Sequence, residues 1–231
     1  MKDIDEYLGH IDSRGPDAAD HNESIAGISI RVGSGVWDPG KGKSTKMFLE
    51  VLDGYPIRPD TSVLDIGTGS GILSLFLYRK GLRDILATDN MSESVANAKD
   101  NMKRNGASEV RVSESDLFSN IEETFDLILF NAPATHPKRR NLPRILEPLW
   151  SAEENIRVRF LKSLSRFLNP GGAALLMYSK FSDFDPIPHE VLETFPFEYK
   201  ILRTSKGEMS ESGIIEIRHK GIDTPPQETS S

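Results

Sequence analysis

The nine residues from Val63 to Gly71, Val-Leu-Asp-Ile-Gly-Thr-Gly-Ser-Gly, constrain this chain more than any other stretch. A short aliphatic run over 62–66 passes into a turn with glycine at every second position (Gly67, Gly69, Gly71), and an amphipathic helix opens at Ile72. Alternating glycines let the backbone bend sharply and approach a ligand closely. The free N–H groups of the following helix N-terminus favour a carboxylate or phosphate. Eighteen residues after Gly71, a second predicted strand over 84–88 ends on Asp89, placed to take both hydroxyls of a ribose. A glycine turn followed by a strand-end acid predicts a nucleoside-bearing cofactor.

The dinucleotide fingerprint G-x-G-x-x-G needs its third glycine at position 72, which is Ile72. The pattern here is G-x-G-x-G with Asp65 before it, so a pyrophosphate would face a nearby carboxylate. An ammonium or sulfonium group would be attracted instead. S-adenosylmethionine (SAM), with an α-ammonium, a carboxylate and a ribose, suits that mixture of charges. Asp65 to Gly71 resembles the first motif of the class I SAM-dependent methyltransferases, and Asp89 matches their second. Glu114-Ser115-Asp116-Leu117-Phe118-Ser119-Asn120 and the run from Phe125 through Asn131-Ala132-Pro133 resemble their third and fourth. The S-D-L-F and F-D-L-I-x-x-N-x-P pairing is similar to that of the release-factor glutamine methyltransferases and the ribosomal-RNA guanine-N2 methyltransferases. The resemblance covers about residues 43 to 180, with the fold continuing to about 219. It implies a Rossmann-like α/β fold, a seven-stranded mostly parallel sheet with helices on both faces, and methyl transfer from SAM. A glycine turn alone also fits an unrelated α/β domain. Asp89, Asp116 and Asn131 each ending a predicted strand argue for a ligand site, because open α/β sheets bind ligands at those ends.

The chain has 231 residues, 37% of them hydrophobic, which fits one α/β domain. The absence of cysteine removes disulfides, thiolate metal sites and a thiol nucleophile. The five histidines are scattered with no His–acid pairing at ligand spacing, so no metal is expected. Nothing reads as a signal peptide or approaches the roughly 18 apolar residues of a membrane span, so a cytoplasmic protein without a membrane partner is expected. A net charge of −7 counts against RNA as the acceptor, although a local basic patch would suffice.

Residues 1–55 read as an N-terminal extension and lid, 56–220 as the methyltransferase domain, and 221–231 as a disordered tail. Ile4, Tyr7, Leu8 and Ile11 fall at helical spacing. The stretch 25–32 alternates weakly, as a strand or hairpin arm; 33–42 reads as a flexible glycine-rich loop, and a helix follows over 44–52. Strands are predicted near 62–66, 84–88, 109–113, 125–130 and 173–179, and helices near 71–80, 92–105 and 153–168. Asn169-Pro170-Gly171-Gly172 is expected to end the last helix and turn the chain into the fifth of these strands. The segments 197–204 and 212–219 read as two more strands, for which the resemblance implies a reversed hairpin at the sheet edge.

Methyl transfer from a sulfonium is an in-line displacement in which the protein chiefly aligns the acceptor. Asn131 is the leading catalytic candidate, its side-chain carbonyl accepting an N–H and so orienting a nitrogen lone pair; it also belongs to the cofactor-binding set. The alternative is a strand-terminal turn residue. Pro133 stiffens the same loop. In the resembling families the motif is Asn-Pro-Pro and an aromatic, whereas here it is Asn131-Ala132-Pro133-Ala134, which counts against a nucleobase or glutamine acceptor. By resemblance Asp65, Gly67, Thr68, Gly69, Gly71, Asp89 and Asn90 hold the cofactor, with Asp116 and Leu117 at its adenine. Asp65 and Asp89 are also readable as simple caps. The loop 135–150 carries His136, Lys138, Arg139, Arg140 and Arg144, as a lid for an anionic acceptor or as a solvated charge run. His136 would serve as a base toward a hydroxyl acceptor, or is a surface histidine.

The run 38–45 imitates a phosphate loop, but the Walker pattern would put its first glycine at Trp37. The run resembles the segment that closes over the cofactor in ribosomal-protein methyltransferases, which makes Ser44 and Thr45 candidates for the cofactor carboxylate. Three readings follow: an N-methyltransferase acting on a small molecule or protein side chain that carries an anionic group, an RNA base N-methyltransferase, and a SAM-binding module without catalysis.

Overall fold

The computed structural model describes residues 19–132, 156–181, 193–206 and 210–221. The helix expected over 4–11, the cationic loop over 135–150 and the tail from 222 lie outside the described residues, as do Pro133 and His136. The described elements are β1 (His21–Ile25), β2 (Ile28–Val32), α1 (Lys43–Gly54), β3 (Val63–Ile66), α2 (Ile72–Arg79), β4 (Ile85–Asp89) and α3 (Ser92–Arg104). They continue with β5 (Arg111–Glu114), β6 (Phe125–Phe130), α4 (Ile156–Phe167), β7 (Leu168–Phe181), β8 (Phe197–Lys206) and β9 (Ser210–His219).

Seven strands form one sheet in the order β5-β4-β3-β6-β7-β9-β8. Neighbours from β5 to β7 are parallel, and β9 runs antiparallel to both β7 and β8. β3, β4 and β6 are nearly continuous apolar runs because both of their faces are covered. Val63, Leu127 and Leu129 join one core with α1, α2 and the β1–β2 hairpin. Leu64, Ile66, Ile128 and Phe130 join the other with α4, where Phe118 stacks on Phe167 at 4.5 Å. The chain runs outward from β3 to β4 to β5, then returns to β6 on the opposite side of β3. That reversal opens a crevice at the carboxyl ends of β3 and β6. Ile66 pairs with Phe130, so Gly67 and Asn131 leave the sheet side by side.

Three expectations change. The segment read as one arm over 25–32 is the second half of a hairpin in which Ile25 pairs with Ile28. Its two-residue turn places Ala26 and Gly27 at φ 50° and 72°, the left-handed pair that matches strand twist. Residues 33–42, expected as a flexible loop, bury Val36 and Asp38. β7 begins at Leu168, so Asn169 to Gly172 lie within the strand as a bulge: Phe125 pairs with Leu168, but Leu127 pairs with Ala173. The hairpin residues Ile28, Ile30 and Val32 share the core of Val63 and Leu75.

Candidate functional site

The glycine turn is held from below by two buried acids. Asp65, almost fully buried on β3, accepts the hydroxyls of Thr68 and Ser74 on its Oδ2, each at 2.7 Å. Its Oδ1 is buried with no hydrogen-bond partner. Burial pushes the carboxyl up to about 6 and the charge of Asp89 adds to the rise, against the two hydroxyl bonds. At the end of β4, Asp89 receives the Gly69 N–H on Oδ2 at 2.9 Å and the Met91 N–H on Oδ1 at 3.0 Å. Burial raises this carboxyl too, opposed by those N–H bonds. Asp89 therefore laces the turn to the start of α3, and a ribose would use the lone pairs that remain. Gly67 and Gly69 have φ of 66° and 55°, and a Cβ on Gly69 would meet nothing within 4 Å, so an open face lies there.

Three polar atoms around this turn are buried without partners among the described residues: Asp65 Oδ1, Ser70 Oγ and Asn131 Oδ1. Buried polar groups are normally satisfied, so three together mark a place where a ligand completes the bonding. An acceptor at Asp65, a hydroxyl at Ser70 and glycine N–H groups suit a ligand bearing an ammonium, hydroxyls and a carboxylate, and the Asn131 acceptor stands beside that set. The residues present thus fit SAM. Thr88 Oγ1 is also unpartnered and fully buried within β4.

The remaining predicted residues divide between exposed and buried positions. Asn90 is exposed beside Asp89. Asp116 is exposed and ion-paired with Arg159 on α4, Oδ2 to Nη2 at 2.7 Å. Leu117 is buried at φ 50°, a backbone conformation a branched residue rarely adopts. Gly71 at φ 83° precedes α2, and a Cβ there would lie 2.6 Å from Met102 Cε. Thr45 is buried in the first turn of α1, with Ser44 half-buried beside it.

Sequence reasoning passed over several residues. Arg157 on α4 is almost completely buried; its Nε donates to the Met177 carbonyl at 3.3 Å and its Nη2 to the Ala132 carbonyl at 3.4 Å. It ties the residue after Asn131 to β7. Its signal is a cation on the apolar stripe of Phe160, Leu161 and Leu164. Ser74, one turn into α2, was detectable only as a hydroxyl inside an apolar helix. The sequence shows no His–acid pairing at ligand spacing, yet the fold brings the ligand atoms of His21, Glu23 and Asp38 within 4.8 Å of one another. His21 Nε2 is 3.0 Å from Asp38 Oδ2, and the Lys41 ammonium approaches the same oxygen at 3.5 Å, so a cation of the chain already offsets one of the two carboxylates. No described helix is long and apolar enough to cross a membrane.

Comparison with known proteins bears on the same residues. The family model described as Ribosomal protein L11 methyltransferase (PrmA) matches residues 18–136. The ribosomal protein L11 methyltransferase of Thermosipho africanus is 34% identical over 158 residues, which are 68% of this chain and 52% of that protein. The corresponding protein of Thermosipho melanesiensis is 30% identical over 158 residues, 68% of this chain and 53% of its own length. The chain thus spans about half the length of the curated relatives it matches. Among solved structures, a ribosomal protein L11 methylase from Lactobacillus delbrueckii subsp. bulgaricus superposes with a TM-score of 0.56 at 22% identity, covering 77% of this chain and 79% of that one. At that identity the likeness concerns the fold alone.

Proposed function

The chain belongs to the ribosomal protein L11 methyltransferase family, and from that premise we propose that it transfers a methyl group from SAM to a nitrogen of a protein acceptor. The narrower likeness to release-factor and ribosomal-RNA enzymes remains one of motif. The observation that carries the proposal is Asn131 Oδ1, buried without a partner among the described residues where β6 ends beside the glycine turn. A lone carbonyl acceptor there holds one N–H of an amine or amide and leaves the nitrogen lone pair free to point across the crevice.

When bound, the cofactor supplies a methyl group already activated by a sulfonium. Asp65 would face its ammonium, with the Asp65 carboxyl held by Thr68 and Ser74. Asp89 shapes the turn through Gly69. Asp116 and Leu117 would sit at the adenine, Thr45 would meet the carboxylate, and Asn90 would add a ribose or adenine contact beside Asp89. Arg157 fixes the Ala132 carbonyl and with it the backbone that aims Asn131. Ribosomal protein L11 is the acceptor named for the relatives and is the first candidate here. An anionic group near the methylated nitrogen is proposed from the cations of 135–150, and Pro133 and His136 keep their proposed roles, on sequence alone.

Methyl-labelled SAM incubated with this chain, with purified L11 or with lysate separated into protein, RNA and small molecules, tests the reading. Label entering protein with the wild type, and lost by about a hundredfold with Asn131→Ala while SAM still binds, is expected. Label in RNA would replace the protein acceptor by a nucleobase. Absence of transfer to every fraction, with SAM bound, would reduce the chain to a cofactor-binding module.

A further inference from the structure

Helix α3 and its C-cap carry asparagine at every fourth residue: Asn97, Asn101 and the C-cap Asn105. All three side chains reach the free edge of β2. Asn97 Oδ1 accepts the Gly33 N–H at 2.6 Å, and its Nδ2 donates to the Arg31 carbonyl at 2.8 Å. Asn101 Oδ1 accepts the Arg31 N–H, and its Nδ2 donates to the Arg31 carbonyl, both at 2.8 Å. Asn105 Nδ2 donates to the Ser29 carbonyl at 2.9 Å.

The spacing explains the fit. Four helical residues rise about 6 Å, and two strand residues advance about 6.6 Å. Asparagines one turn apart therefore meet alternate residues of a strand running the opposite way. The ladder does the work of a third strand, satisfying the edge that β1 leaves open.

Asn101 differs from its two neighbours. It is completely buried, and its Nδ2 also donates to the carbonyl of Ser70, at 2.9 Å, inside the glycine turn. The same face of α3 lies against that turn through Met102 and Ala98, 2.6 and 3.4 Å from where a Gly71 Cβ would stand. One carboxamide thus joins the backbone of the hairpin to the backbone of the turn. We infer that Asn101 is a positioning residue for the cofactor: it couples docking of the β1–β2 hairpin to the shape of the glycine turn, so that binding at the turn and closure of the hairpin strengthen each other. The inference rests on the turn's being the SAM site, as proposed above. The coupling is reciprocal by thermodynamic necessity. A ligand on the turn must tighten the hairpin as much as a docked hairpin tightens the ligand.

The test measures amide hydrogen exchange over 21–33 and binding of S-adenosylhomocysteine by calorimetry, in the wild type, Asn101→Ala and Asn105→Ala. In the wild type, the ligand is expected to slow exchange of the hairpin amides about fivefold or more. Asn105→Ala loosens the hairpin but keeps the link, so ligand-induced protection should survive. Asn101→Ala is expected to bind the ligand about tenfold more weakly and to lose the protection. Should Asn101→Ala not fold, Asn101→Leu keeps the bulk of the side chain and removes its bonds to both backbones without burying a charge. Ligand binding without any change in hairpin exchange in the wild type would overturn the coupling alone. A wild type that does not bind S-adenosylhomocysteine would overturn the cofactor reading and the coupling with it.

Discussion

Asp65 is a residue at which folding and binding make opposite demands. Its carboxyl is sunk beneath the glycine turn with one oxygen unpartnered, and burial lifts it from 3.8 to about 6. A group raised in the folded state contributes stability that is fully present below its unfolded value and is lost as pH rises through the folded one. Ionised Asp65 therefore costs the ligand-free fold about 3 kcal/mol at pH 7, of which about 1 kcal/mol accrues between pH 5 and 7. Asp65→Asn is expected to remove that dependence: the wild-type melting temperature should fall about 2–4 °C more than the variant's between those pH values. Scanning calorimetry of both proteins decides it, and parallel curves would refute the assignment. A cation on the turn restores the ionised form, so binding at pH 6 should release protons, visible as a buffer-dependent heat that Asp65→Asn lacks. Asp65 was legible because the whole motif is local in sequence. Arg157 and the asparagine ladder were not, because polar residues on a buried face look like breaks in the apolar period until the facing backbone is known.

Elements obey the same logic where two backbones come too close for a side chain. β8 meets β9 with a register shift between Ile201 and Arg203, next to Gly213. A Cβ on Gly213 would stand 2.6 Å from the Arg203 carbonyl and 2.6 Å from the Tyr178 ring. Gly213→Ala should therefore lower stability by about 1–3 kcal/mol, read as a lower urea midpoint at unchanged slope. Gly54, the last residue of α1, has nothing within 4 Å of its would-be Cβ. Gly54→Ala should leave stability unchanged or raise it by up to about 1 kcal/mol. A similar loss at both glycines would refute the steric argument. The parallel strands β3, β4 and β6 were readable to within a residue because each is a short apolar run buried on both faces. The β1–β2 hairpin was half hidden, since its turn uses Ala26 where a turn signal would be asparagine or glycine. Asn169 to Gly172 carried a true break signal, which the structure absorbs as a bulge because Leu168 still pairs with Phe125.

At the scale of the molecule, the glycine turn is where the chain's long-range connections meet. Asp89 binds it to β4, Asp65 underlies it from β3, and Asn101 ties it to the hairpin. A ligand seated there contacts the domain at a junction of elements, so its binding energy should appear as stability of the whole cooperative unit. At a concentration one hundred times its dissociation constant, S-adenosylhomocysteine adds about 2.7 kcal/mol. For a chain of this length that corresponds to about 5–11 °C in melting temperature. Asn131→Ala should keep nearly all of the shift if Asn131 serves the acceptor side of the crevice, as proposed. Asp89→Ala should melt lower without ligand and lose most of the shift, since the N–H groups of Gly69 and Met91 lose their acceptor. A full shift in Asp89→Ala would mean that the ligand sits elsewhere than on the turn. A shift lost in Asn131→Ala would place Asn131 with the cofactor and leave the acceptor nitrogen without its partner. The two variants together separate the side of the crevice that holds the methyl donor from the side that receives it.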